Sequence, residues 1–183
     1  MVKIDIINLA LTKLGESPIQ SINEGSPAAN AAKLLYDTVR RSVLRDYDWN
    51  FALKEIALSR FQNKGSKFYD YSYPLPADYI RAIKLVNGSS FAVTGGALHT
   101  NSEEAVLLYI WDNDIEEEFD SKFVEALSYK LASELAMPVK GSPELMSSYS
   151  NAYYNLVKDA ATESINERFE ELDDNPYITA RYV

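Results

Sequence analysis

The chain has 183 residues, 46% of them hydrophobic, and a formal charge of −9, enough for one domain with a real core. It has no Cys, which excludes disulfides and thiolate chemistry and the zinc sites built on Cys. The acidic balance makes it a poor grip for duplex DNA, whose binding rests on basic patches and counterion release. In chain order, Ile4, Ile7, Leu11 and Leu14 recur at spacings of three and four and predict a first helix, stopped at Gly15. Ser26-Pro27, a capping hydroxyl followed by Pro, predicts the start of a second helix that runs to about Tyr47 with Ala32, Leu35, Val39 and Val43 inward. From about Leu53 to Asp112 the helical period fades. Tyr73-Pro74-Leu75-Pro76 with Asp78 reads as a rigid turn, and Ile80–Val86 as a strand. Phe91–Thr94, Gly95-Gly96 and Ala97–Thr100 read as a hairpin, and Ala105–Trp111 as a further strand. Helices return after Asp120, with Phe123, Leu127, Leu131 and Leu135 four apart. Pro138 and Gly141 break the run, and Ser142-Pro143 opens a long last helix to about Glu171.

These elements predict an α+β chain with one architectural unit spanning 1–183. Its base is an antiparallel bundle of about four helices, from 3–47 and 120–171. A β-sheet or hairpin insertion, about 53–112, lies between helices two and three, and an extended tail occupies 173–183. No apolar run approaches the length of a membrane span, and the N-terminus lacks a signal-peptide core, so the expectation is an intracellular product with no membrane partner.

No catalytic constellation emerges. His99 is the only His, which leaves no His-pair metal site, and it is expected to be an ordinary surface or interface residue. Gly95-Gly96 lacks the Lys and Ser/Thr of a phosphate loop. Two acidic clusters, Glu103-Glu104 and Glu116-Glu117-Glu118, leave one enzymatic alternative open: a carbohydrate-cleaving hydrolase using Glu104 and Glu117. No catalytic residue, cofactor site or metal site is expected. Arg40, Arg41 and Arg45 form the strongest basic cluster, a candidate partner interface. Glu163, Glu167, Glu170 and Glu171 crowd the C-terminal end of the last helix, where the helix dipole disfavours them, and are a candidate acidic face. Beyond Pro176 the tail alternates, with Tyr177, Thr179, Arg181 and Val183 on one side and Ile178, Ala180 and Tyr182 on the other. Tyr177, Ile178, Arg181 and Tyr182 are expected to dock on a partner or a neighbouring subunit, the alternative being that the tail folds back on its own β insertion.

Four segments, taken together, resemble the tail tubular protein A, or head-to-tail connector, family of short-tailed bacteriophages. They are Ile7-Asn8-Leu9-Ala10-Leu11 with Leu14-Gly15-Glu16; Leu44-Arg45-Asp46-Tyr47-Asp48-Trp49-Asn50-Phe51-Ala52; Tyr73-Pro74-Leu75-Pro76-Ala77-Asp78-Tyr79-Ile80-Arg81; and Phe119-Asp120 with Phe123, Ala126-Leu127, Leu131-Ala132 and Leu135-Ala136. The Trp-Asn-Phe-Ala and Pro-Leu-Pro-Ala-Asp pieces, in this order and spacing, carry most of the specificity, and the β segment and last eleven residues match least. The resemblance implies a structural adaptor of the virion rather than an enzyme. It also implies a dodecameric ring between portal protein and tail nozzle protein, with neighbouring copies as partners and DNA passing through without tight binding.

Overall fold

The computed structural model describes residues 2–61 and 67–173, with side chains to residue 160. Four helices frame it: α1 (Lys3–Lys13), α2 (Pro27–Asp46), α3 (Ser121–Leu135) and α4 (Pro143–Asp173). Between α2 and α3 run six strands: β1 (Leu53–Ala57), β2 (Tyr71–Pro74), β3 (Tyr79–Leu85), β4 (Phe91–Thr94), β5 (Ala97–Thr100) and β6 (Val106–Trp111). The chain divides into two compact units, residues 1–39 with 121–183, and residues 40–120.

The expected architecture, a helical bundle with a β insertion, is corrected here. The strands build two separate three-stranded antiparallel sheets, ordered β1-β6-β3 and β2-β5-β4, so the chain is an α+β fold and not a simple bundle. The physical reason is a second core. Tyr73, Leu85, Leu98, Ala105, Leu107 and Tyr109 are buried together, drawing on both sheets. A segment that closes its own apolar core is a folding unit rather than a decorated loop.

In the helical unit, α3 packs against both α1 and α4. Its four-spaced residues Phe123, Leu127, Leu131 and Leu135 are fully buried, joined by Val124, Ala126 and Ala132. Ile6, Ile7, Ala10 and Leu11 supply the α1 side and Tyr153 the α4 side. The caps are those the sequence predicts. Ser26 Oγ accepts from Ala29 N at 3.2 Å, and Ser142 Oγ accepts from Leu145 N at 3.2 Å. Pro138 does not end the helical path outright. Residues Ala136–Lys140 widen into a π turn, which tolerates the missing N–H, and Gly141 closes it at φ 62°. Lys140 reaches Glu16 at 2.6 Å, and the Tyr149 hydroxyl donates to Lys13 O. On α2, Ala32 and Val39 are buried as expected, but Tyr36 takes the inward place assigned to Leu35, which is half-exposed.

In the β unit, β6 is the central strand of its sheet, antiparallel to β1 and β3, and β3 shifts register twice. β5 is the central strand of the other, pairing Ser72 with His99 on one side and Ala92 with His99 on the other. Gly95 and Gly96 both have positive φ, 58° and 75°, as a two-residue type I′ hairpin requires.

Candidate functional site

The two most specific resemblance segments each lead into a strand of the β1-β6-β3 sheet, Trp49–Ala52 into β1 and Pro74–Asp78 into β3. Trp49, 2% exposed, donates its indole N–H to Val43 O at 2.8 Å and locks the end of α2 to the turn that follows. The Phe51 ring then lies 5.4 Å from that of Phe119, tilted by 46°, and the chain passes directly into β1. The Pro74–Asp78 segment leads into β3 through a turn closed by Tyr79 N on Pro76 O at 3.1 Å. Asp48 pairs with Arg81, and Arg45 donates to Ile80 O at 2.8 Å. Arg45, Asp46, Tyr47, Asp48 and Arg81 line a shallow cleft of about 440 Å³ whose opposite charges largely neutralise one another.

Asp78 is the hub of this corner. It accepts from Lys54 Nζ at 2.7 Å and from the Tyr109 hydroxyl at 3.0 Å, and Lys54 Nζ also lies 4.5 Å over the Trp111 ring. Burial pushes the Asp78 carboxyl up, but the hydrogen bonds from Lys54 and Tyr109 outweigh it and hold the group below the usual carboxylate range. Burial, then the hydrogen bond to Asp78, raises the Tyr109 phenol well above its ordinary value, so it remains a donor. Sequence reasoning assigned Asp78 a local turn role. Its actual partners come from β1 and β6, and no short-range spacing announces them.

The three arginines of the candidate partner interface divide. Arg40 is buried, 3% exposed, pairs with Asp112 at 2.7 Å and donates to Asn113 O. Arg41 is exposed and reaches the other oxygen of Asp112 at 2.8 Å. Arg45 is exposed but serves the β3 backbone. Arg40 is thus an internal strut between α2 and the segment after β6, and its guanidinium is not presented to a phosphate. Sequence reading missed Asp112. The one usable hint was an acid placed directly after an apolar strand, far along the chain from a run of arginines.

Two members of the acidic clusters have partners of their own. Glu103 faces Arg60 at 3.5 Å, and Glu118 accepts from Asn113 Nδ2 at 2.8 Å. Glu116–Glu118 form one 3₁₀ turn in which Glu117 and Glu118 are exposed, and Glu104 is exposed after β5. His99 does have a hydroxyl partner that sequence reading did not foresee: Ser72 Oγ lies 2.7 Å from its Nδ1. The two residues are directly opposed, and the side chains of a non-hydrogen-bonded antiparallel pair approach closely. Ser72 is 2% exposed and the other ring nitrogen faces Thr94 O at 3.4 Å, so a buried hydroxyl is held without an orienting acid. Among the described residues no cluster of three or more His, Asp or Glu is arranged to hold a metal, and no helix is long and apolar enough to cross a membrane.

Glu163, Glu167, Glu170 and Glu171 lie on the helical backbone of α4, with side chains outside those described, and Tyr177, Ile178, Arg181 and Tyr182 lie outside the described residues altogether. No family model matches the sequence, and no curated protein matches it.

Proposed function

We propose that this chain is a structural subunit of a phage head-to-tail connector, a ring that joins portal protein to tail nozzle protein and forms part of the DNA conduit. The observation that carries this reading is that both resemblance segments act as joints of the β unit: Trp49 ties its indole N–H to Val43 O, and Asp78 joins Lys54 of β1 to Tyr109 of β6. On this reading the residues that carry the resemblance serve architecture. The function on this reading is geometric. A closed ring adapts one assembly to another, and its net negative charge repels DNA weakly, so the duplex slides instead of sticking.

The test is size-exclusion chromatography with light scattering, on the chain alone and mixed with the portal protein of the same genome. A ring of this chain seated on the portal is the expected result, lost on deletion of residues 176–183. No association at any ratio overturns the reading. The hydrolase alternative makes the opposite prediction: release of reducing ends from host polysaccharide that disappears in Glu104→Gln or Glu117→Gln.

A further inference from the structure

The two sheets end in four outer strands, and three of them are guarded. β1 carries Lys54 and Glu55 on its exposed length. The outer side of β2 is occupied, since Phe61 N donates to Ser72 O at 2.9 Å, and Pro74 ends the strand without an N–H. β3 is broken by two register shifts, carries Arg81 and Lys84, and receives Arg45 on Ile80 O. These are the devices by which sheets discourage pairing with another chain. β4, Phe-Ala-Val-Thr, has none of them: no charge, no Pro, and a regular register against β5.

The hairpin fixes which of its groups are free. With Gly95-Gly96 as a two-residue turn, Thr94 and Ala97 form the closing hydrogen-bonded pair, and Ala92 pairs likewise with His99. The N–H and C=O of Phe91 and Val93 therefore point outward, and among the described residues no backbone group reaches them. The same alternation explains why Ser72, on the far side of β5, turns its carbonyl outward to Phe61.

We propose that β4 is a self-complementary edge through which a second copy of this chain pairs antiparallel, Ala92 opposite Ala92, to make one continuous six-stranded sheet. In that register the free groups of Phe91 meet those of the partner's Val93, and the reverse, so each outward N–H finds a C=O. The side chains agree. Phe91 and Val93 share the face of Leu98 and Thr100, and Phe91 packs on the β core. Val93 is left 37% exposed because no strand lies beyond it, and the partner's Phe91 would cover it as an aromatic–β-branched pair. On the opposite face the close, non-hydrogen-bonded position falls to Ala92, whose methyl group does not clash. The two-fold makes the contact isologous, so it would join copies in pairs and not as neighbours around one cyclic ring, and an edge of four residues puts it among transient interfaces. The inference does not depend on the connector reading.

The natural chain has no Cys, so single cysteines report cleanly. Under mild oxidation the full-length Ala92→Cys protein should form a disulfide-linked dimer about ten-fold faster than Val93→Cys or Ile56→Cys, because only position 92 sits opposite itself within disulfide reach. Adding Val93→Lys should remove that advantage while the circular dichroism spectrum stays unchanged. Mixing Phe91→Cys with Val93→Cys should give the heterodimer over either homodimer, a readout that does not need the Lys variant to fold. Equal cross-linking at positions 56, 92 and 93, or an advantage at 92 that survives Val93→Lys, would overturn the proposal.

Discussion

The two units hold themselves together by different means. The helical unit buries continuous apolar stripes: four residues of α3 at every fourth position, each fully covered. Its polar links, Lys140–Glu16 and Lys3–Asp37, lie at half-exposed or exposed positions. The β unit has a smaller core, and one of its ion pairs is buried: Arg40, 3% exposed, on Asp112, 20% exposed, while Lys54–Asp78 and Arg81–Asp48 are as open as the pairs of the helical unit. A stripe-built core tolerates loss of a polar group at its margin. A core closed around a buried ion pair does not, because removing one partner strands the other in a poorly solvated place. The contrast therefore predicts where single substitutions will hurt.

The largest effects should come from the two cores taken separately. Leu131→Ala and Leu98→Ala each remove a fully buried side chain and should each cost about 3 kcal/mol, measured by urea denaturation. Native-state hydrogen exchange should show Leu131→Ala loosening amides of α1 and α3, and Leu98→Ala loosening β2, β4 and β5. Uniform loss of protection along the chain in both variants would mean the division into two units has no energetic content.

Next comes the buried charge of the β unit. Asp112→Ala leaves Arg40 without its carboxylate and should cost about 3 kcal/mol, nearly as much as a core leucine. Arg40→Met, which removes the charge and keeps the volume, should cost less than Asp112→Ala. The reverse order in paired urea titrations would show that the pair contributes by attraction and not by mutual compensation.

The smallest effect is a pH dependence. Asp78 is held below the ordinary carboxylate value of 3.8 in the folded chain, so its stabilising contribution is full above that value and is lost as pH falls through the lower folded value. Asp78→Asn should thus be less stable than the natural chain at pH 7, and the gap between their urea midpoints should narrow below about pH 4. A gap that stays constant down to pH 2 would remove Lys54 and Tyr109 as the cause.

The same contrast explains what the sequence revealed. Phe123, Leu127, Leu131 and Leu135 could be read directly, because helical burial repeats at a fixed short spacing. Gly95-Gly96 announced its hairpin because only a tight turn needs two positive-φ residues in succession. β1 and β2 were not legible as strands. Leu53–Ala57 is mostly exposed and so lacks the alternation of a half-buried strand, and β2 is four residues ending in a Pro that also signals a turn. Missing them made two sheets look like one insertion. At the candidate site, Arg40 read as a surface arginine because its carbonyl partner lies 73 residues away. The Ser72–His99 contact depends on cross-strand register, which no local pattern encodes.

The central claim, that the chain is an architectural part of a virion neck, is tested most directly by locating it in the particle. Electron microscopy of virions labelled with an antibody against this chain should place the label at the junction of head and tail, in a ring of copies. Label confined to the tail tip, or virions that contain none of the chain, would contradict the account.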